Sequence, residues 1–87
     1  MMKRNEIEAK VQSLAEEYFG VHKDDFTVLL TFKELDADSL GIMEVVMDIE
    51  DTFDITIPDE KIDGIETMTD LINLIEQSIT TKEASSE

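Results

Sequence analysis

The chain has no cysteine, one histidine, one proline, three glycines and seven basic residues in a length of 87. Without cysteine, disulfides and thiolate metal sites are both excluded, and nothing marks an oxidising compartment. With His22 as its single histidine, set apart in a connecting segment, the chain offers no serine a base, so nucleophilic catalysis has no constellation to work with. None of Gly20, Gly41 and Gly64 stands in a phosphate-cradling glycine loop. No apolar stretch approaches the length of a membrane span. The opening Met1-Met2-Lys3-Arg4-Asn5-Glu6 leads into a mixed polar segment without the apolar run of a signal peptide, so the expectation is a cytoplasmic protein without membrane insertion.

What is abundant is negative charge. Twenty-two acids against seven bases give a formal charge of −15, which repels nucleic-acid phosphates and anionic membrane surfaces and favours cationic protein partners. The same repulsion between copies argues for a monomer. From Glu34 to Glu60 there is no Lys, Arg or His, while Glu34, Asp36, Asp38, Glu44, Asp48, Glu50, Asp51, Asp54, Asp59 and Glu60 are all acidic. Inside that window stands Asp38-Ser39-Leu40, one hydroxyl between an acid and a leucine.

The length permits one small domain with one core. Ile7, Val11, Leu14, Ala15 and Tyr18 recur at helical spacing, with Asn5 as a candidate N-cap and Glu8 three residues on, so a first helix is expected to end near Gly20. From Val21 to Asp38 there is no sustained period. Val28 to Phe32 has strand-like composition, but a lone strand lacks a partner in so short a chain, and a loop pinned by apolar side chains is expected. Asp38 or Ser39 opens a second helix running to about Phe53, and Pro58 is placed as the first helical residue of a short third one ending at Gly64. Thr67 with Asp70 is a capping signature before the stripe Leu71, Ile72, Leu74, Ile75 and Ile79. The expectation is all-α: a small four-helix bundle of three main helices and one short helix, with a long first loop, a domain over 1–80 and a flexible polar tail over 81–87.

At 100° steps the second helix has two apolar faces. Ile42, Val46, Ile49 and Phe53, with Val45 at the edge, form the core face. Leu40, Met43 and Met47 form a second stripe bordered by Glu44 and Asp51 on one side and Glu50 and Asp54 on the other. An apolar centre rimmed by charge suits a docking face, and methionine adapts to several partners; alternatively Met43 packs against the long loop. If Asp38 caps the helix, Ser39 falls in the first turn with its hydroxyl toward solvent, where the helix dipole and the unpaired amides tolerate an anionic modification.

Calcium binding fits poorly. Asp36-Ala37-Asp38-Ser39-Leu40-Gly41 matches positions 1, 3 and 6 of an EF-hand loop, but position 5 is Leu40 and position 12, which needs a bidentate Glu, is Met47. No metal site and no catalytic residue is expected, although diffuse cation binding to the acids is. An unmodified acidic adaptor or a weak cation-binding protein remains the alternative from another functional class.

These residues resemble the acyl carrier protein family, of the discrete bacterial type, over nearly the whole chain. The strongest part runs from Asp38-Ser39-Leu40 through Met43-Glu44-Val45-Val46-Met47 and Ile49-Glu50-Asp51 to Phe53-Asp54-Ile55-Thr56-Ile57-Pro58-Asp59. The resemblance implies that Ser39 carries 4′-phosphopantetheine, attached from coenzyme A by a phosphopantetheinyl transferase. The arm's thiol would hold acyl groups as thioesters, and the protein itself would supply no catalytic group. Basic patches of acyl-chain synthesis or transfer enzymes would meet Asp38, Leu40, Glu44, Met47, Asp48, Glu50, Asp51 and Asp59. The resemblance further implies an acyl pocket lined by Met43, Val46, Ile57, Ile65, Met68 and Leu71, residues that otherwise read as bundle core. The implied pathway is fatty-acid synthesis, with polyketide, aminoacyl or cell-envelope acyl transfer as alternatives. Two positions depart from the family pattern: Asp36 stands where glycine is frequent, and Gly41 where an acid commonly follows the motif.

Overall fold

A computed structural model describes residues 4–85 of the chain, with side chains through Lys82. Four α-helices follow one another: α1 (Arg4–Phe19), α2 (Ser39–Phe53), α3 (Asp59–Ile62) and α4 (Met68–Ser85), with a short 3-10 turn at Lys23–Asp25 in the long first connection. The all-α bundle expected from periodicity is the fold observed. No strand forms among the described residues.

Helix α1 packs on both α2 and α4. Ile7, Val11, Leu14 and Ala15 are its buried stripe, meeting Val45, Val46 and Ile49 from α2 and Met68, Leu71, Ile72, Leu74 and Ile75 from α4. Ile55, Ile57 and Ile62 close the core from the α2–α3 side, and Phe32 enters it from the long loop. No polar or charged residue among those described is buried in it, so burial of apolar surface, about 1.5–3 kcal/mol per large side chain, holds the helices together. Tyr18, the last member of the expected α1 stripe, is the exception: it is 37% exposed and its hydroxyl donates to Asp48 Oδ2 at 3.3 Å.

Several expected boundaries shift. Asn5 lies inside α1, so it does not cap that helix, and the cap position lies outside the described residues. Gly20 does terminate α1, at φ 68°, a conformation open to glycine at no steric cost. Pro58 sits at the N-cap of α3 with extended backbone, one residue before the helix, where its missing N–H costs nothing. Helix α4 continues through Ser85, past residue 80 where the domain is expected to end, and near its end Lys82 Nζ donates to both Asp54 O and Asp54 Oδ2 at 2.6 Å.

The long loop finds a backbone partner after all, in the residues that open α4. Phe32 N donates to Glu66 O, Met68 N to Leu30 O and Thr69 N to Val28 O, each at 2.9 Å, leaving an isolated bridge between Thr31 and Thr67. The bonds from Met68 N and Thr69 N satisfy first-turn amides of α4 that no helix can satisfy internally. The capping signature supplies the rest: Asp70 N donates to Thr67 Oγ1 at 3.1 Å while Asp70 Oδ2 accepts from Thr67 N at 3.0 Å and Glu66 N at 2.9 Å. The two backbone bonds hold the Asp70 carboxyl below the usual aspartate range.

Candidate functional site at the start of α2

The chain enters α2 through a left-handed residue, Asp36 at φ 55°, followed by Asp38 in extended conformation at the N-cap. Asp38 Oδ1 accepts from Gly41 N at 2.8 Å, and Asp38 O accepts the first helical bond, from Ile42 N, at 3.0 Å. Because Asp38 occupies the capping role, Ser39 stands in the first helical turn, exposed, with no partner for its hydroxyl among the described residues. An exposed, unengaged hydroxyl beside the amide-rich, positive end of a 15-residue helix is a fitting attachment point for a phosphodiester.

Downstream of Ser39, the second apolar stripe is exposed as its acidic borders suggest. Leu40 is 67% and Met47 63% exposed, while Met43 is 36% exposed at the edge of the core. The acids around them divide by what they already hold. Glu44 and Asp51 are exposed, with no partner among the described residues. Asp48 is half-buried and committed: Oδ1 accepts from Thr52 Oγ1 at 3.2 Å and lies 3.4 Å from Lys10 Nζ, and Oδ2 accepts from Tyr18. Glu50 is half-buried as well, and its Oε2 accepts from Ile57 N at 2.8 Å. That bond pins the α2–α3 connection, so Glu50 is partly committed within the fold while Glu44 and Asp51 are not. Asp59 is exposed on α3, apart from the α2 stripe.

At its other end α2 finishes with Asp54 at φ 54°, whose N–H donates to Glu50 O. Glu50, Asp51 and Asp54 crowd negative charge at the negative end of the helix dipole. Lys82 offsets this from α4, and its hydrogen bond and charge hold the Asp54 carboxyl below the usual range.

The residues expected to line an acyl pocket are found at the interior, and they are closed up. Val46, Ile57, Met68 and Leu71 are each 3% exposed or less, Ile65 is half-buried against them, and Met43 lies at the surface edge. Nothing in the described residues groups three or more potential metal ligands, and no described helix is long and apolar enough to cross a membrane.

A family model for a phosphopantetheine attachment site matches residues 9–75, spanning α1 to α4 and including Ser39. The chain belongs to the acyl carrier protein family. It is 38% identical over 79 residues to an acyl carrier protein of Exiguobacterium sibiricum, covering 90% of this chain and all of that one. It is 39% identical over 77 residues to one from Akkermansia muciniphila, covering 87% and 96%. A crystal structure of the acyl carrier protein from Thermotoga maritima superposes with a TM-score of 0.78 at 34% identity, covering 92% of this chain and 94% of that one. The 3,7-dioxo-octyl form of the actinorhodin acyl carrier protein of Streptomyces coelicolor shares the fold at a TM-score of 0.69 and 22% identity. The prosthetic group of this acyl carrier protein is therefore 4′-phosphopantetheine, and proteins of the family act as carriers for synthesis and transfer enzymes.

Two features of the site leave no signal in the sequence: the engagement of Glu50 with Ile57 N and of Lys82 with Asp54 depends on chain reversal that no periodicity encodes. The turn of Tyr18 toward α2 has one signal, since it is the single hydroxyl-bearing ring in an otherwise aliphatic stripe.

Proposed function

We propose that Ser39 is the residue to which phosphopantetheine is attached, and that the chain delivers acyl intermediates to the enzymes of fatty-acid synthesis without catalysing any step itself. The observation that carries this reading is the division of labour at the α2 start, where Asp38 caps the helix and leaves Ser39 exposed for a phosphopantetheinyl transferase acting on coenzyme A. When attached, the group supplies a thiol that holds acyl chains as thioesters. The chain's own residues present it: α2 fixes the attachment point, and the Leu40 and Met47 stripe gives partner enzymes an apolar footing. Glu44 and Asp51 supply the free charge for basic patches, with Asp38, Asp48, Glu50 and Asp59 adding to the field. Exposed pairs of this kind contribute little affinity each and mainly speed and orient encounters, which suits a protein that binds and leaves repeatedly.

Met43, Val46, Ile57, Ile65, Met68 and Leu71 form the proposed acyl-accepting region. Entry requires the core to open there, and α3, a single turn of four residues, is the element with least to hold it. The pathway is tested by supplying the modified chain to reconstituted fatty-acid elongation enzymes and following chain growth by intact mass. Successive lengthening of the bound acyl group supports the fatty-acid reading. A chain that is modified but never elongated by them assigns it to a specialised carrier.

A further inference from the structure

Glu50, near the end of α2, takes three of the backbone amides that follow the helix. Its carbonyl accepts from Asp54 N and, at 3.1 Å, from Ile55 N, while its Oε2 accepts from Ile57 N at 2.8 Å. Lys82 holds the same stretch from α4 through Asp54. Residues 54–57 are therefore tied to both long helices, and Ile57, 3% exposed, cannot swing out of the core without breaking the Glu50 bond. The α3 helix is held differently. Its backbone hydrogen bonds, donated by Lys61, Ile62, Asp63, Gly64 and Ile65, all return to acceptors within Pro58–Ile62. Its N-cap residue Pro58 makes no side-chain bond to it, and on its α4 side lie two shallow grooves of about 420 and 290 Å³ that share Lys61 and Gln77.

We propose that Glu50 is a positioning residue for the acyl cargo: its carboxylate fixes residues 54–57 as the stationary rim of the acyl-accepting region, so that α3 alone moves to admit a chain and the rim retains it. The inference rests on the reading of that region and adds the residue that governs it. Helix electrostatics do not account for an acid at this place, since a carboxylate close to the negative end of α2 is unfavourable there. The half-buried Ile57 N–H does account for it: a charge-assisted bond from a carboxylate is stronger than one a neutral side chain makes, and an amide left unpaired at an apolar rim is costly.

The test loads the chain with an octanoyl or an acetyl phosphopantetheine, each transferred from its acyl-coenzyme A by a phosphopantetheinyl transferase. Cleavage of each thioester by hydroxylamine, which leaves the thiol on the chain and the acyl group as its hydroxamate, is measured relative to the same thioester of coenzyme A. The octanoyl thioester of the wild-type chain is expected to be shielded and the acetyl one, too short to reach the core, exposed. Glu50→Ala should speed octanoyl cleavage about two- to ten-fold, the worth of one hydrogen bond, and leave acetyl cleavage unchanged. In the apo chain the same substitution should speed hydrogen exchange at the Ile57 amide by about ten-fold. Glu50→Gln, which keeps an oxygen for Ile57 N, should stay close to wild type in both measurements. Ile7→Val, which loosens the core from α1 away from the rim, should leave the octanoyl shielded. If Glu50→Ala keeps the octanoyl shielded, or Ile7→Val exposes it equally, the rim proposal is overturned and the acyl-region reading stands. If the wild-type chain shields octanoyl no better than acetyl, the acyl-region reading itself falls.

Discussion

Phe19 at the end of α1 packs against Gly41 in the first turn of α2, so closely that a β-carbon placed at Gly41 would lie 3.2 Å from Phe19 Cε1 and 3.2 Å from Asp38 Oδ1. Neither neighbour is free to retreat. The Phe19 ring stands edge-on to Phe32, with centroids 6.2 Å apart, and Asp38 Oδ1 is the acceptor that caps α2. At Gly41, where the family resemblance leads one to expect an acid, the missing side chain permits this close contact between the two helices.

Gly41→Ala should therefore fail to deliver the stabilisation of about 1 kcal/mol that helix propensity alone assigns to glycine replacement. We expect a lower melting temperature than wild type, with the gain recovered when Phe19→Leu makes room, a coupling read from a double-mutant cycle. A higher melting temperature for Gly41→Ala in the wild-type background would show that the Phe19 contact imposes nothing.

Asp36 explains the other departure. Its φ of 55° is a left-handed conformation that glycine adopts freely, Asp tolerates and other side chains resist. In urea unfolding, Asp36→Gly should be close to neutral, and Asp36→Ala less stable than Asp36→Gly by about 1 kcal/mol. Equal midpoints for the two variants would contradict the assignment.

Asp70 makes part of the stability pH-dependent. Its carboxyl is depressed in the folded state by the Glu66 and Thr67 amides, so it contributes stability above the unfolded aspartate value of about 3.9, and that contribution is lost as pH falls through the lower folded value. Asp70→Ala should cost on the order of 1 kcal/mol at pH 7, a typical capping loss. The gap between the two proteins should close on acidification below the folded value. A gap that persists unchanged into strong acid would rule out the ionised cap.

With a net charge of −15, self-repulsion should make the fold salt-sensitive. The melting temperature is expected to rise with ionic strength as the Debye length shortens. Magnesium, drawn diffusely to the acids, should stabilise the fold at least as much as a sodium salt of equal ionic strength. An unchanged melting temperature on adding salt would contradict this, and a sharp saturating response to magnesium alone would reveal a site the acids do not show.

Much of the fold was legible because its signals are local. The stripe Ile7, Val11, Leu14 and Ala15, the Thr67 and Asp70 cap, and the two faces of α2 each follow from spacing within one helix. The place of Ser39 in the first turn was legible for the same reason: whether Asp38 or Ser39 caps is decided within four residues. What escaped was set by tertiary contact. Val28 to Phe32 pairs with Glu66 to Thr69 because α4 arrives there with unsatisfied amides, Lys82 near the end of α4 reaches Asp54, and Glu50 becomes a loop anchor once Ile57 N comes within 2.8 Å.

The most direct test of the account is intact-mass and fragmentation analysis of the apo chain after incubation with coenzyme A and a phosphopantetheinyl transferase. The account predicts the gain of one phosphopantetheine, mapped to Ser39, and none in Ser39→Ala. No gain in the wild-type chain, or an equal gain in Ser39→Ala, would contradict it.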